Sequence, residues 1–157
     1  MRENEQFMEI AAQEAMDGVK KGHGGPFGAV IVKDNQIIAK AHNEVIKNND
    51  PTDHAEMIAI RHAAKRLGRF DLSDCELYTS CEPCPMCLSA IHWAKIKKVY
   101  YGCTRDDAAE IGFDDKYIYD VIKGTAEHKK VILEQIERDS CIKAFNEWKG
   151  KEDKVQY

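Results

Sequence analysis

Two short stretches, HAE at residues 54–56 and CPMC at residues 84–87, decide how this chain is interpreted. Two cysteines separated by two residues reach one metal ion when the second lies on the first turn of a helix, and a distant histidine supplies a third ligand. Three protein ligands leave one tetrahedral position for water, as in a catalytic zinc site, whereas a structural site has four protein ligands. Glu56 lies close to this metal and is a candidate to carry protons between water and a substrate. The predicted zinc ligands are His54, Cys84 and Cys87.

The pairing of H-x-E with P-C-x-x-C is typical of zinc-dependent nucleobase deaminases. Cys81 leaves a structural zinc open as an alternative, because C-x-x-C-x-x-C together with His54 also supplies four ligands. The acid at position 56 favours the catalytic site, since a structural site has no use for it. A disulfide framework is the third alternative, because the six cysteines make an even count. The N-terminal residues show no basic segment followed by an apolar run, so we expect a cytoplasmic protein with reduced thiols.

Composition limits the class of protein and of partner. A chain of 157 residues, 43% apolar and 32% charged, has the size and balance of one globular domain, here residues 1–157. No apolar run is long enough to span a membrane. The formal net charge of -4 lacks the basic character of proteins that grip a nucleic acid backbone. We therefore expect a small neutral substrate, no membrane and no nucleic acid partner.

Helical and strand periodicities alternate along the chain, which is typical of an α/β fold. The spacing of apolar residues predicts helices over residues 5–20, 55–67, 84–95, 117–122 and 141–148. Apolar and β-branched runs predict strands over residues 27–32, 36–41, 75–80, 97–101 and 131–136, the first two forming a hairpin. Residues 43–53 are predicted to be a loop. Parallel strands joined by crossover helices place both metal-binding segments at one edge of the sheet.

Four segments together resemble the cytidine-deaminase-like zinc deaminases, and among them the short bacterial guanine deaminases. They are GGPFGAVIVKD at 24–34, NDPTDHAE at 49–56, YTSCEPCPMCLSAIHWA at 78–94 and DDAAEIGFDD at 106–115. The resemblance implies a three-layer α/β/α fold with a central five-stranded mixed sheet. It also implies a homodimer, in which a C-terminal tail of about residues 137–157 caps the site or is exchanged between subunits.

The resemblance further implies roles for individual residues. It gives one zinc ion on His54, Cys84 and Cys87, with Glu56 as the proton shuttle. The implied substrate-binding residues are Phe27 against the purine face, Asn43 on the purine edge, Asp115 for specificity, Ala55, and Trp93 and Tyr157 as pocket-lining or capping residues.

Five of these six binding roles have a simpler alternative. Phe27 and Trp93 also fit as core residues, and Asn43 as an ordinary turn residue. Asp115 also fits as a helix N-cap, and its neighbour Asp114 is chemically an equal candidate. Tyr157 also fits as a disordered terminal residue.

The expected reaction is hydrolytic deamination of guanine to xanthine and ammonia. The alternatives are a related deaminase acting on guanosine, on cytosine or cytidine, or on tRNA adenosine, and a non-catalytic zinc-binding module. Guanine offers a ring N–H beside an exocyclic amine, and a carboxylate such as that of Asp115 matches these two donors.

Overall fold

The structure of the protein is a computed structural model that describes residues 2–157. The described chain divides into two compact units, one ending at Lys116 and the other running from Tyr117 to Tyr157. No helix among residues 2–157 is long and apolar enough to cross a membrane.

The first unit contains a four-stranded mixed sheet. Its strands are β1 (Gly28–Lys33), β2 (Gln36–His42), β3 (Glu76–Cys81) and β4 (Lys98–Cys103), arranged in the order β2-β1-β3-β4. β1 pairs antiparallel with both β2 and β3, whereas β3 and β4 are parallel. Asp34 and Asn35 join β1 to β2 with φ angles of 49° and 59°, the left-handed pair that a tight hairpin turn requires. The predicted hairpin is confirmed.

Helices cover both faces of this sheet because the side chains of β1 alternate between two apolar clusters. Ala29 and Ile31 pack with α3 (Ala55–Leu67) and α4 (Pro85–Trp93) on one face. Val30 and Val32 pack against α1 (Glu3–Lys20) on the other. The result is the predicted three-layer α/β/α arrangement.

The remaining helices are short or belong to the second unit. α2 (Val45–Asn48) interrupts the predicted loop, and α5 (Arg105–Glu110) follows β4. α5 begins at a capping box in which Thr104 and Asp107 bond each other's backbone N–H groups. α6 (Lys116–Lys123) crosses the boundary between the units, and α7 (Arg138–Gly150) lies in the second.

The prediction of a fifth strand over residues 131–136 is wrong, because the described chain has four strands and none in this segment. Its apolar side chains are exposed, with Ile132 82% and Leu133 73% accessible. An apolar, β-branched segment becomes a strand only when a neighbour completes its hydrogen-bond ladder, and none of the described strands does so. The sheet is therefore four-stranded rather than five-stranded in this chain.

Candidate metal centre and active site

Two helix starts bring the predicted zinc ligands together. His54 is the N-cap of α3 and Cys84 is the N-cap of α4, both with extended backbone. Pro85 occupies the first position of α4, where its missing N–H costs nothing, and Cys87 follows on the first turn. α3 comes after β2, with the short α2 between them, and α4 follows β3. Both helix starts therefore lie beyond the carboxyl ends of strands, the usual ligand-binding edge of α/β sheets.

The distances between the three side chains fit a zinc ion. His54 Nδ1 lies 3.5 Å from Cys84 Sγ and 3.6 Å from Cys87 Sγ. Tetrahedral zinc with bonds of about 2.0 Å to nitrogen and 2.3 Å to sulfur places such atoms about 3.5 Å apart. Among residues 2–157, this is the one group of three histidine, cysteine or acidic side chains whose ligand atoms all lie within 4.8 Å of one another. The predicted ligands therefore form a candidate zinc site.

The electrostatics of the site suit proton transfer beside a metal. Glu56, on the first turn of α3, is 5% exposed. Burial raises the pKa of its carboxyl to about 7, and the side chain also interacts with the Cys87 thiol. Hydrogen bonds from Cys87 and then His54 lower the pKa of Cys84, which favours the thiolate that metal binding needs. The bond with Cys84 raises the pKa of His54.

Cys81 does not join the three ligands. Its Sγ lies 3.6 Å from the carbonyl oxygen of Thr104, and burial raises the pKa of its thiol to about 11. Its Sγ is not among the ligand atoms that lie within 4.8 Å of one another. The geometry thus favours three protein ligands over the four that a structural site requires.

The loop before His54 is held by an ion pair that sequence reasoning missed. Asp53 is buried, and its two carboxylate oxygens accept hydrogen bonds from Arg61 at 2.9 Å and from Asn48 at 2.8 Å. Arg61 lies two turns along α3, so the pair ties the incoming loop to the helix. This contact fixes the backbone that presents the His54 ring.

Phe27 and Asn43 lie side by side where β1 begins and β2 ends. The Asn43 backbone N–H donates to the Phe27 carbonyl at 3.0 Å. Asn43 is buried, and its Oδ1 accepts from the Val45 N–H at 3.0 Å, the local turn expected of this residue type. Phe27 packs edge-on against Phe113, with ring centroids 5.0 Å apart, and borders the core.

The two candidate aspartates have different partners. Asp114 is exposed, and its Oδ1 accepts the backbone N–H of Lys116 at 2.9 Å, so it makes the turn that starts α6. Asp115 is half-buried, and its Oδ1 accepts from Arg105 Nε at 3.3 Å. Burial raises the pKa of Asp115 and Arg105 opposes this shift, while the nearby Cys84 adds to it. Asp115 directly precedes α6, and its alternative role as the N-cap of that helix stays a prediction.

The remaining three substrate-binding candidates lie in three different parts of the chain. Ala55 is fully buried at the first position of α3, directly between His54 and Glu56. Trp93 is 65% exposed and ends α4, about 13 Å along the helix from Cys84. Tyr157 belongs to the second unit.

Comparisons with known proteins agree with this geometry. Residues 1–103 match the family described as the cytidine and deoxycytidylate deaminase zinc-binding region. A guanine deaminase of Bacillus subtilis is 50% identical over 154 residues, which cover 98% of this chain and 99% of that protein. A solved structure of guanine deaminase from Bacillus subtilis superposes with a TM-score of 0.92 at 50% identity, covering 98% of both chains.

Two further relatives widen the comparison. A tRNA-specific adenosine deaminase of Agrobacterium fabrum is 38% identical over 90% of this chain and 99% of its own length. A crystal structure of the protein NE0047 in complex with 2,6-diaminopurine is 32% identical with a TM-score of 0.68, covering 71% of this chain and 62% of that one. With its zinc-ligand geometry, its α/β/α layers and these relatives, the chain belongs to the cytidine and deoxycytidylate deaminase family of zinc enzymes.

Proposed function

We propose that this protein is a zinc-dependent guanine deaminase that releases xanthine and ammonia. The observation that carries this proposal is the buried carboxyl of Glu56 beside one nitrogen and two sulfur atoms spaced as zinc ligands. The Bacillus subtilis guanine deaminase, which matches this chain over nearly its full length, supports guanine as the substrate. The 2,6-diaminopurine bound by NE0047 carries the same 2-amino group as guanine.

The reaction needs a water molecule that is activated near neutral pH. His54, Cys84 and Cys87 would hold the zinc ion, which would supply this activation by lowering the pKa of water. Glu56 accepts one proton from the water and passes it to the ring nitrogen; it then accepts the proton of the added hydroxyl and passes it to the departing amine. A carboxyl with a pKa of about 7 suits both directions of transfer. Backbone N–H groups at the starts of α3 and α4 stabilise negative charge on the reacting ring.

Substrate recognition is assigned to residues around this centre. Phe27 packs against the purine face, and the Nδ2 amide of Asn43 donates to the purine edge, since its Oδ1 already accepts from Val45. Ala55 forms part of the wall between His54 and Glu56. Asp115 accepts the ring N–H and the exocyclic amine of guanine, two parallel donors that match its two oxygens.

Asp115→Ala is expected to lower kcat/KM for guanine by roughly 10²- to 10³-fold, because two charge-assisted hydrogen bonds are lost. The zinc content should stay at one ion per chain, since Asp115 is not one of the grouped ligands. Steady-state kinetics and metal analysis of the purified variant measure both quantities.

Asp114→Ala is the matched control, because it removes an adjacent carboxylate that only makes a turn. We expect its kcat/KM to stay within about threefold of the parent value, as for loss of one exposed hydrogen bond. Equal losses in both variants would contradict the specificity role of Asp115.

A panel of substrates tests the activity itself. Ammonia release is measured with guanine, guanosine, cytosine, cytidine and a tRNA anticodon loop containing adenosine. We expect guanine to react faster than cytosine, cytidine and the tRNA, since adenine and cytosine present an acceptor where guanine presents a donor and leave Asp115 facing a lone pair.

The Agrobacterium fabrum relative makes tRNA adenosine the rival substrate. The net charge of -4 counts against it. Faster turnover of the tRNA than of guanine would make the guanine assignment wrong. No turnover of any compound by the zinc-loaded protein would favour a non-catalytic zinc-binding module.

The assembly is proposed to be a homodimer, with residues 1–157 forming one deaminase domain. Exposed apolar side chains in the second unit support a further contact surface; they include Val131, Ile132, Leu133 and Ile136. We further propose that the tail of about residues 137–157 caps the pocket or is exchanged in the dimer, with Tyr157 and Trp93 as capping or lining residues. Sedimentation equilibrium gives the mass, and a monomer would contradict the dimer.

The six free cysteines, two of them zinc ligands, support the reducing cytoplasm as the compartment.

A further inference from the structure

We propose that a hydrogen-bonded chain of Glu14, His42 and His23 positions the two substrate-binding residues Asn43 and Phe27. The three chain residues act through their neighbours and touch neither the zinc ligands nor Glu56. The inference rests on the guanine-binding roles proposed above, and it makes the three side chains positioning residues for that reaction.

The chain runs from a carboxylate through two imidazole rings. His42 Nδ1 lies 3.3 Å from Glu14 Oε1, and His42 Nε2 lies 2.8 Å from His23 Nδ1. Two ring nitrogens at this distance share one proton, so one donates and the other accepts. Because the Glu14 carboxylate accepts, a neutral His42 ring donates from Nδ1 and accepts at Nε2 the proton of His23. Burial, and then the adjacent Lys47, lowers the pKa of His23, which supports a neutral donor ring.

The surroundings are shaped to hold the central ring. His42 is 9% exposed, and its ring stacks on that of His23 with centroids 5.1 Å apart. Gly18 of α1 lies against the other side, where an added Cβ would be 2.7 Å from His42 Cδ2. Only glycine allows α1 to approach this closely. The imidazole is therefore clamped between α1 and the segment that precedes β1.

Each histidine precedes backbone that leads to a substrate-binding residue. His42 ends β2 and is followed by Asn43, whose amide packs against Gly24, the residue after His23. Asn43 in turn donates its backbone N–H to the Phe27 carbonyl. The side-chain bond between the histidines thus closes a ring of contacts that contains both Asn43 and Phe27.

The His23 backbone extends this tie to α2. Its carbonyl oxygen accepts the N–H groups of Ile46 and Lys47, both at 3.0 Å, and its own N–H donates to the Gly18 carbonyl at 3.0 Å. His23 therefore connects α1, α2 and the end of β2. We therefore expect a rotation of His23 to move the segment that carries Phe27.

The expected kinetic signature follows from where the chemistry lies. Glu56 and the zinc ligands are on α3, α4 and the residues that cap them, not on the segments that the histidine pair joins. Loss of the pair loosens the purine-binding wall and leaves the proton shuttle in place. Guanine binding weakens while the turnover of bound guanine changes little.

His23→Leu removes the donor, and we expect KM for guanine to rise about tenfold with kcat within about twofold. His23→Asn keeps an N–H donor near the position of Nδ1, so its KM should stay within about twofold of the parent value. His62→Leu, at an exposed position of α3, is the matched control and should change neither constant. Zinc content and thermal unfolding are measured for each variant.

Glu14→Leu tests the far end of the chain without changing the 22–27 segment. Like His23→Leu, it should raise KM for guanine and preserve kcat. It takes the place of His23→Leu as the test if that variant does not fold. An unchanged KM in whichever of these variants folds and binds zinc would overturn the proposal. An equal rise in His23→Asn and His23→Leu would also overturn it, because the size of the side chain would then matter rather than the hydrogen bond.

A measurement without substrate separates this inference from the guanine assignment. If the parent protein does not deaminate guanine, the proposed function fails. Amide hydrogen exchange at Phe27 and Asn43 then still reports whether the His23–His42 hydrogen bond holds these two residues in place. Faster exchange in His23→Leu than in His23→Asn and the parent supports it, whereas equal exchange in all three contradicts it.

Discussion

The Glu56→Gln variant is expected to lose guanine turnover by about 10³-fold or more while it retains one zinc ion per chain. Glutamine has the shape of glutamate and keeps its acceptor oxygen, but it cannot accept and return a proton at neutral pH. The side chain is buried at the first turn of α3, so a replacement of equal volume avoids a cavity. Steady-state xanthine formation and metal analysis measure the two parts of this result.

Glu110→Gln supplies the control for the same chemical change. Glu110 is exposed at the end of α5, away from the ligands at the starts of α3 and α4. We expect its kcat to equal that of the parent protein. Turnover by Glu56→Gln at the parent rate would remove Glu56 from the reaction.

The second large effect is expected for Cys87→Ser, which should lose its zinc and, with it, all measurable guanine turnover. Cys87 is completely buried, with its sulfur 3.6 Å from His54 Nδ1, so a neutral hydroxyl would replace a thiolate in the ligand set. Because zinc binding also stabilises the folded state, the midpoint of thermal unfolding should fall as well. Metal analysis after dialysis and differential scanning calorimetry are the measurements.

Cys81→Ser makes the same exchange three residues before Cys84, outside the ligand set. Its hydroxyl retains a donor for the Thr104 carbonyl that Cys81 faces. We expect full zinc content and nearly unchanged turnover. A zinc-free Cys81→Ser, or a Cys87→Ser that holds zinc as firmly as the parent, would contradict the assignment of ligands.

The parts of the site that sequence reasoning predicted are those set by local rules. α3 spans residues 55–67 as expected, because its apolar residues repeat at helical spacing and Gly68 takes the left-handed φ of 68° that ends it. The spacing of Cys84 and Cys87 places both on one helix start, so the ligand trio follows from the motif. Apolar and β-branched runs on either side of the Asp34–Asn35 turn likewise predicted the hairpin of β1 and β2.

The parts that sequence reasoning missed depend on residues far apart in the chain. Glu14 and His42 are separated by 28 positions, and neither stands in a recognisable motif, so nothing local indicates their hydrogen bond. Arg105 and Asp115 pair across a turn whose path follows from the short helix α5, which was too brief to show a helical period. The prediction of a fifth strand was wrong for a related reason, because the composition of a segment does not determine which strand would pair with it.

The central claim is that zinc is held here by one imidazole and two thiolates, with a fourth position left for water. X-ray absorption at the zinc edge tests it most directly on the purified protein. We predict one zinc per chain with two sulfur ligands at about 2.3 Å and two nitrogen or oxygen ligands at about 2.0 Å. A zinc with three or more sulfur ligands, or a folded protein that binds no zinc, would contradict it.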